Sequence, residues 1–156
     1  MDTGIRPFTV AIVGGGASGV LTAAHILRRG DPDVRVVLIE PQALGAVAAY
    51  GTDAPEHRLN VRSSRMSAYD DAPGDFVRWL TRYGHDADPE GFAPRGLYRQ
   101  YLQTVLGTAI AGRPNVFEHR RETVSRIVPS VGWAEVHLSG GERLAADRVV
   151  VALGNM

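Results

Sequence analysis

The fold of this 156-residue chain is decided by one stretch, Val10-Ala11-Ile12-Val13-Gly14-Gly15-Gly16-Ala17-Ser18-Gly19. An apolar run ends here in the pattern G-x-G-x-x-G and passes into a helical pattern. The first glycine permits a tight turn out of a strand, the second lets a phosphate approach the backbone, and the third lets a helix pack closely on the sheet. Free N–H groups at the start of that helix would face the phosphates. The expected pyrophosphate contacts are Gly14, Gly15, Gly16, Ala17, Ser18 and Gly19.

A second apolar run, residues 34–39, ends at the acidic side chain Glu40 and is stopped by Pro41. A carboxylate at the tip of the second strand of a β-α-β unit accepts hydrogen bonds from ribose hydroxyls, and it would repel a 2′-phosphate. The pattern therefore places Glu40 at a ribose and favours FAD or NAD over NADP as the nucleotide of this motif.

Composition excludes several classes of protein. The 17 basic and 17 acidic residues balance, so no charged surface for nucleic acid or anionic lipid is expected. All 17 basic residues are arginine, which excludes a lysine Schiff base and a Gly-Lys-Ser phosphate loop. The absence of cysteine excludes disulfides, thiolate zinc sites and a redox-active dithiol within this chain, and the five histidines are too scattered for a metal site. With no signal-like apolar segment at the N-terminus, a cytoplasmic protein is expected.

The first 110 residues read as a β-α-β unit followed by a long loop and two helices. A strand at 8–13, a helix at 17–29 ended by Gly30 and a strand at 34–39 predict a parallel sheet with a right-handed crossover. Residues 41–72 lose all periodicity, and a structured loop of that length indicates function. One helix is predicted to start near Pro73, with Asp70 or Asp71 as its cap, and the next to cover residues 95–110.

The last 45 residues read as strands. Residues 116–119 predict a third parallel strand, and 123–128, 133–138 and 142–144 alternate as antiparallel strands do. The closing strand covers 148–154, and no second glycine fingerprint follows. The expected fold class is α/β: one Rossmann-like three-layer domain over residues 1–156, with an incomplete parallel sheet and an antiparallel β-meander.

Several further motifs accompany the glycine stretch: Leu38-Ile39-Glu40-Pro41, Tyr50-Gly51-Thr52, Glu56-His57-Arg58-Leu59-Asn60-Val61, Arg65-Met66-Ser67, Pro94-Arg95-Gly96-Leu97-Tyr98 and Val151-Ala152-Leu153-Gly154-Asn155. With these motifs the chain resembles, over nearly its whole length, the FAD-NAD(P)-binding domain proteins of the glutathione reductase-like two-dinucleotide class. The glycine motif is shared by many families, whereas the loop from Tyr50 to Ser67 is specific.

The resemblance implies FAD lying across the sheet, with its pyrophosphate at Gly14–Gly19 and Glu40 on the adenosine ribose. It further implies that Val124 holds the adenine through its backbone and that the strand end at Ala152 and Gly154 packs near the cofactor. By the same resemblance, the loop that carries Asn60, Met66 and Ser67 passes beside the isoalloxazine.

Two departures from the family pattern fall in this loop. Val47-Ala48-Ala49 and Arg62-Ser63-Ser64 stand where the family often has glycine-containing turns. The lost glycines at 47 and 64 restrict positive φ, so an altered loop geometry or weakened flavin binding is expected.

Other polar side chains of the loop remain open to two interpretations. Arg58, Arg62 and Arg65 could bind a cofactor phosphate or an anionic substrate, or they could form a solvated surface. His57 is the one histidine considered for proton transfer, with a structural role preferred. No catalytic residue can be assigned.

The resemblance implies that this chain is the FAD-binding segment of an NAD(P)H-dependent flavoprotein oxidoreductase, which could be of monooxygenase type. NAD(P)H would then bind mainly outside this chain, and the small-molecule substrate is unidentified. The alternative is a truncated or split dinucleotide-binding module without turnover, because the nicotinamide domain and the last strand of the resembled fold are absent. A partner chain or a C-terminal domain would then complete it. A small NAD-binding dehydrogenase domain is a third possibility, against which the β-meander argues.

Overall fold

The computed structural model describes residues 6–46 and 48–154. Over these residues the chain forms seven strands and three α-helices, in the order β1 (Phe8–Val13), α1 (Ala17–Arg29), β2 (Val34–Ile39), α2 (Asp75–Arg82), α3 (Arg95–Ala111), β3 (Phe117–Arg120), β4 (Val124–Pro129), β5 (Ala134–Leu138), β6 (Arg143–Ala146) and β7 (Arg148–Val151). Short 3-10 turns cover Ala48–Tyr50, Ser63–Arg65 and Pro114–Val116.

The strands form two sheets. The parallel sheet has the order β3-β2-β1-β7, and the antiparallel sheet has the order β4-β5-β6. Both faces of the central strands are covered, so β1 and β2 read as continuous apolar runs rather than alternating ones.

Successive residues of β1 belong to two different cores, because side chains alternate across a strand. Val10 and Ile12 pack in the core shared with the helices, whereas Ala11 and Val13 pack in a smaller core under the meander, against Val136 and its neighbours. The molecule therefore has three layers: helices, parallel sheet and antiparallel meander. This confirms the α/β, Rossmann-like fold class predicted from the sequence.

The first β-α-β unit matches its predicted bounds. Helix α1 starts at Ala17, and Gly30 ends it in the left-handed conformation, with φ of 78° and its N–H donating to the carbonyl of Leu27. Val20 and Leu27 are buried on its inner face.

The start of α2 differs from the prediction. Gly74 is the N-cap residue, and the predicted cap Asp71 instead forms an ion pair with Arg28 at 2.7 Å. The hydroxyl of Ser67 accepts the N–H of Phe76 at 3.2 Å and donates to the carbonyl of Pro73 at 2.8 Å. A side chain from the preceding loop therefore provides the contact expected of Asp70 or Asp71, and the prediction of an aspartate cap was wrong.

The closing strand is shorter than predicted. Strand β7 ends at Val151, not at residue 154. Ala152 makes one more bond, from its N–H to the carbonyl of Val13 at 2.8 Å, and the chain then leaves the sheet. Gly154 has a φ of 75°, which is incompatible with a continued strand.

The loop between β2 and α2 is structured although it holds neither a strand nor an α-helix among residues 41–46 and 48–72. Leu59 and Ala68 insert into the helix-side core. The N–H of Leu59 donates to the carbonyl of Ala93 at 2.9 Å, and Nε2 of His25 lies 2.9 Å from the carbonyl oxygen of Ala68. These contacts fix the loop on the helix layer. Across the described chain, no helix combines the length and apolarity needed to span a membrane.

Candidate functional site

A cavity of about 290 Å³ opens where β1, β2 and β7 end. In open parallel sheets, ligands bind outside the carboxyl ends of the strands. The cavity is lined by Gly14, Gly16, Ala17, Ser18, Glu40, Ala49, Tyr50, Ala152, Leu153 and Gly154. Three of the four chain segments in this lining were predicted from the sequence, and the segment 49–50 was not.

Two glycines of the fingerprint are required by space and conformation. Gly14 has a φ of 107°, and a Cβ there would lie 2.3 Å from the carbonyl oxygen of Ala152. A Cβ on Gly19 would lie 1.9 Å from the carbonyl oxygen of Gly14. The turn and the helix can therefore approach each other only because both positions lack a side chain.

The N-terminus of α1 faces the cavity without a cap. Gly16 offers no side-chain hydrogen bond, and the first turn of α1 contains no acidic residue. Within residues 6–46 and 48–154, no hydrogen bond uses the N–H groups of Ala17 and Ser18. Unpaired N–H groups and the positive end of the helix dipole together favour an anion at this place.

Glu40 is buried, with 6% of its surface exposed. Its Oε2 accepts the N–H of Gly15 at 3.0 Å, and its Oε1 accepts the N–H of Gln42 at 2.9 Å. The carboxylate therefore holds the glycine turn against the end of β2. Each oxygen keeps a lone pair with which it can accept a further hydrogen bond, such as one from a ribose hydroxyl.

Sequence reasoning missed the contact between Glu40 and Gly15, although a signal was present. Gly15 is the additional glycine of the triple run and is not part of the G-x-G-x-x-G pattern. A Cβ there would lie 2.6 Å from both Cβ and Cγ of Glu40 and 2.8 Å from a methyl group of Leu44. An unexplained glycine beside a fingerprint indicates a close neighbour, which here is the acidic residue itself.

The structure does not bring every predicted cofactor residue to the cavity. Gly15 and Gly19 lie behind its wall, in the contacts described above. Met66 packs on the helix-side core and Val124 on the meander-side core. The hydroxyl of Ser67 is bonded at the start of α2.

Asn60 is exposed beside a second, shallow cavity of about 420 Å³, which it lines with Val61, Arg62, Arg65 and Phe92. Arg62 also forms an ion pair with Glu90. This surface brings together two of the arginines that the sequence singled out, next to two exposed apolar side chains.

Arg58 and His57 are held by local contacts. Arg58 donates to the carbonyl of Phe92 at 2.8 Å, and Nδ1 of His57 lies 2.8 Å from the hydroxyl oxygen of Thr52. Both side chains are outside the lining of the 290 Å³ cavity. Among the residues the structure describes, no group of three or more metal-ligating side chains is present.

The two departures from the family pattern have different outcomes. Val47 lies outside the described residues. Ser64 lies within a 3-10 turn, a right-handed conformation that any residue can adopt, and its N–H donates to the carbonyl of Pro89 at 2.9 Å. Residue 64 therefore does not need to be glycine in this chain.

Comparisons with known proteins agree with this geometry. Residues 11–156 match the family model described as FAD-NAD(P)-binding. A search of curated proteins gives no match. Among solved structures, the chain resembles the bacillithiol disulfide reductase Bdr of Staphylococcus aureus (14% identity, TM-score 0.66), OTEMO in complex with FAD and NADP (18%, 0.63) and cyclohexanone monooxygenase (17%, 0.64).

The alignments cover 96% of this chain in all three cases, but only 39%, 26% and 27% of the respective structures. The chain thus spans a quarter to two fifths of the length of these proteins. At such low identity the similarity establishes the fold, and the family match over nearly the whole chain establishes the relationship. The chain belongs to the FAD-NAD(P)-binding family.

Proposed function

We propose that this chain is the FAD-binding segment of an NAD(P)H-dependent flavoprotein oxidoreductase. The observation that carries the proposal is the cavity in which the unpaired N–H groups of Ala17 and Ser18 lie near the buried carboxylate of Glu40. The N–H groups suit a pyrophosphate and the carboxylate suits a ribose. The residues present therefore fit an adenine dinucleotide.

FAD is favoured over NAD as the dinucleotide of this cavity. The family carries both nucleotides in its description, and OTEMO is described in complex with FAD and NADP. The antiparallel meander supports FAD, because a doubly wound dehydrogenase domain would normally carry another helix at that point. NAD(P)H would then bind mainly outside these residues.

This chain's own residues would bind and orient the dinucleotide. The bound flavin would accept hydride and transfer electrons. The N–H groups of α1 hold the phosphates, while Glu40 fixes the glycine turn and one ribose. Glu40 and Tyr50 are the titratable side chains in the lining of the cavity, and we assign neither to proton transfer. A catalytic acid or base would come from elsewhere in the complete protein.

The reaction type is proposed by analogy alone. The similar structures include a disulfide reductase and a monooxygenase. This chain contains no cysteine and cannot itself supply the dithiol of a disulfide reductase. We propose a monooxygenase-type reaction by analogy with cyclohexanone monooxygenase, whereas a disulfide reductase would need its dithiol from further polypeptide.

Further polypeptide, either continuous with this chain or a separate subunit, would complete the protein. Within the described part of the chain, β7 pairs with β1 alone, so its other edge is open. Phe8 and Val151 are 42% and 58% exposed. An apolar groove of about 740 Å³ also runs between α1 and the start of β1 and β2, lined by Phe8, Val10, Leu21, Ile26 and Val34 among others. Open strand edges and exposed apolar surfaces of this kind mark interaction sites.

The proposal is tested by placing a negative charge where the pyrophosphate would sit. Ser18 is exposed in the first turn of α1 and lines the cavity. Ser18→Asp adds a carboxylate at a helix N-terminus, which stabilises the helix by about 0.3–1 kcal/mol, so the fold is expected to persist. Ser18→Asn is the matched control, because it has nearly the same shape without the charge.

FAD binding is measured by titration of the cofactor-free proteins, and the absorption spectrum of the purified wild type is recorded before and after NADH or NADPH is added. Ser18→Asp should bind FAD at least about tenfold more weakly than Ser18→Asn, equivalent to about 1.4 kcal/mol, because the two variants differ in charge and share the added bulk. A wild type that takes up no FAD, or an aspartate variant that binds as tightly as the asparagine variant, would refute the proposal. A flavin that stays oxidised with both nucleotides would indicate a binding module that needs further polypeptide for turnover.

A further inference from the structure

Residues 44–46 and 48–50 are the two described parts of a segment that contributes to the cavity wall and that the sequence did not predict. Ala49 and Tyr50 line the cavity. The first part is attached to the glycine turn, since the N–H of Gly45 donates to the carbonyl of Gly15 at 2.7 Å. The turn that would hold the pyrophosphate therefore contacts residues 44–46 directly.

Helix α3 fixes the same wall from behind. Arg95, Arg99 and Gln103 stand four residues apart, so they lie on one face of the helix. Each donates to a backbone carbonyl of the segment, at 3.4, 3.4 and 2.9 Å, and the acceptors are Ala49, Tyr50 and Leu44 respectively. Only 16% of the Arg99 side chain is exposed, so its hydrogen bond is partly shielded from water.

The ring of Tyr50 rests on a buried aromatic cluster. Its centroid lies 5.1 Å from that of Tyr98, which in turn meets Phe76 edge-on at 5.3 Å. Burial, and to a lesser degree the nearby Tyr50 phenol, raises the pKa of Tyr98 to about 12. Tyr50 is half-buried, and no hydrogen bond within the described residues, 6–46 and 48–154, involves its hydroxyl. One side of the ring is thus supported, and the hydroxyl of this cavity-lining residue has no partner in the described part of the chain.

We propose that Tyr50 contacts the bound dinucleotide and that Arg99 positions it. This inference rests on the proposed function. Among the described residues that line the cavity, Tyr50 is the one aromatic residue, and the others are glycine, alanine, serine, leucine and one glutamate. A ring held against a rigid cluster contacts a ligand with little loss of side-chain freedom, and a phenol can donate a hydrogen bond from the same position.

The test separates the ring from the hydroxyl. FAD affinity is measured by titration for the wild type, Tyr50→Phe and Tyr50→Leu, with Tyr83→Leu as the control because Tyr83 is an exposed tyrosine outside the cavity lining. Loss of a hydrogen bond should weaken binding about threefold in Tyr50→Phe. Loss of the aromatic contact should weaken it about tenfold or more in Tyr50→Leu. Tyr83→Leu should bind as the wild type does.

The positioning role of Arg99 is tested by a double-mutant cycle. Arg99→Gln should weaken FAD binding in the wild-type background and should have little further effect in the Tyr50→Leu background. A purely structural role would give the same loss in both backgrounds and would overturn the assignment of Arg99.

The assignment of Tyr50 itself is overturned if Tyr50→Leu binds FAD within twofold of a wild type that does bind it. A wild type that binds no FAD refutes the proposed function instead, so the two failures are distinguishable.

Discussion

Replacement of Glu40 by glutamine tests whether this side chain organises the glycine turn before any nucleotide binds. In the structure, both carboxylate oxygens accept backbone N–H groups, those of Gly15 and Gln42. An amide has only one oxygen, so in either orientation of the glutamine one of the two N–H groups faces an NH₂ group. The substitution therefore removes one charge-assisted hydrogen bond and leaves a donor without an acceptor.

The expected loss follows from burial. Glu40 is only 6% exposed, so water does not readily replace the lost acceptor. Hydrogen bonds to charged groups contribute about 1.5–3 kcal/mol, and we expect a loss of unfolding free energy of this size. For a domain of this length, the midpoint of thermal unfolding falls by about 2–4 °C per kcal/mol, which predicts a decrease of about 3–12 °C.

The assay is thermal and urea unfolding of the cofactor-free protein, with FAD titration of the same samples. Glu56→Gln is the matched control, because it makes the same chemical change at an exposed glutamate of the long loop. It should leave both stability and affinity unchanged. The reasoning is refuted if, in the absence of FAD, Glu40→Gln is as stable as the wild type and differs from it only in weaker FAD binding. The carboxylate would then serve the ribose alone.

Two further predictions follow from the glycine contacts and from Asp147, which joins Arg6 and Thr9 to the start of β7. Gly19→Ala places a Cβ 1.9 Å from the carbonyl oxygen of Gly14 and should lower the free energy of unfolding by at least about 1–3 kcal/mol. The control Gly107→Ala lies in open space on α3 and should raise it by about 0.4–1 kcal/mol. Thermal unfolding of both variants distinguishes the two effects. Hydrogen bonds from Arg6 and from the N–H of Thr9 lower the pKa of Asp147 in the folded protein. The carboxylate therefore stabilises the fold at a pH above its ordinary pKa of 3.8. This stabilisation is lost as the pH falls through the lower pKa of the folded state. Asp147→Asn should therefore unfold at lower urea concentration than the wild type at pH 7, and the difference should shrink below about pH 4; a constant difference down to pH 2 would contradict this account.

The β-α-β unit was predictable because its requirements are local. The bends at Gly14 and Gly30 and the closeness of Gly19 to the turn depend on a few neighbouring residues. The role of Glu40 was only partly predictable: its place at the end of β2 follows from the pattern, but its bond to Gly15 depends on how the turn folds back.

The cap prediction that failed and the cavity wall that the sequence did not predict both depend on contacts between distant residues. Asp71 pairs with Arg28 of α1 instead of capping α2, and Ser67 takes over part of that task. The wall at Tyr50 is held by Arg99, which lies 49 residues later in the chain. Periodicity carries no information about such pairings, because they arise only when helices and loops pack.

The three donors of α3 act on backbone carbonyls, not on side chains of the segment that they hold. Since every amino acid has a carbonyl, the segment can change its side chains and keep its attachment. Ligand preference could therefore diverge during evolution at position 49 without compensating changes in α3, whereas the ring at position 50 also packs on Tyr98 of that helix. For the same reason, position 49 suits a saturation library that aims to alter which dinucleotide the protein accepts.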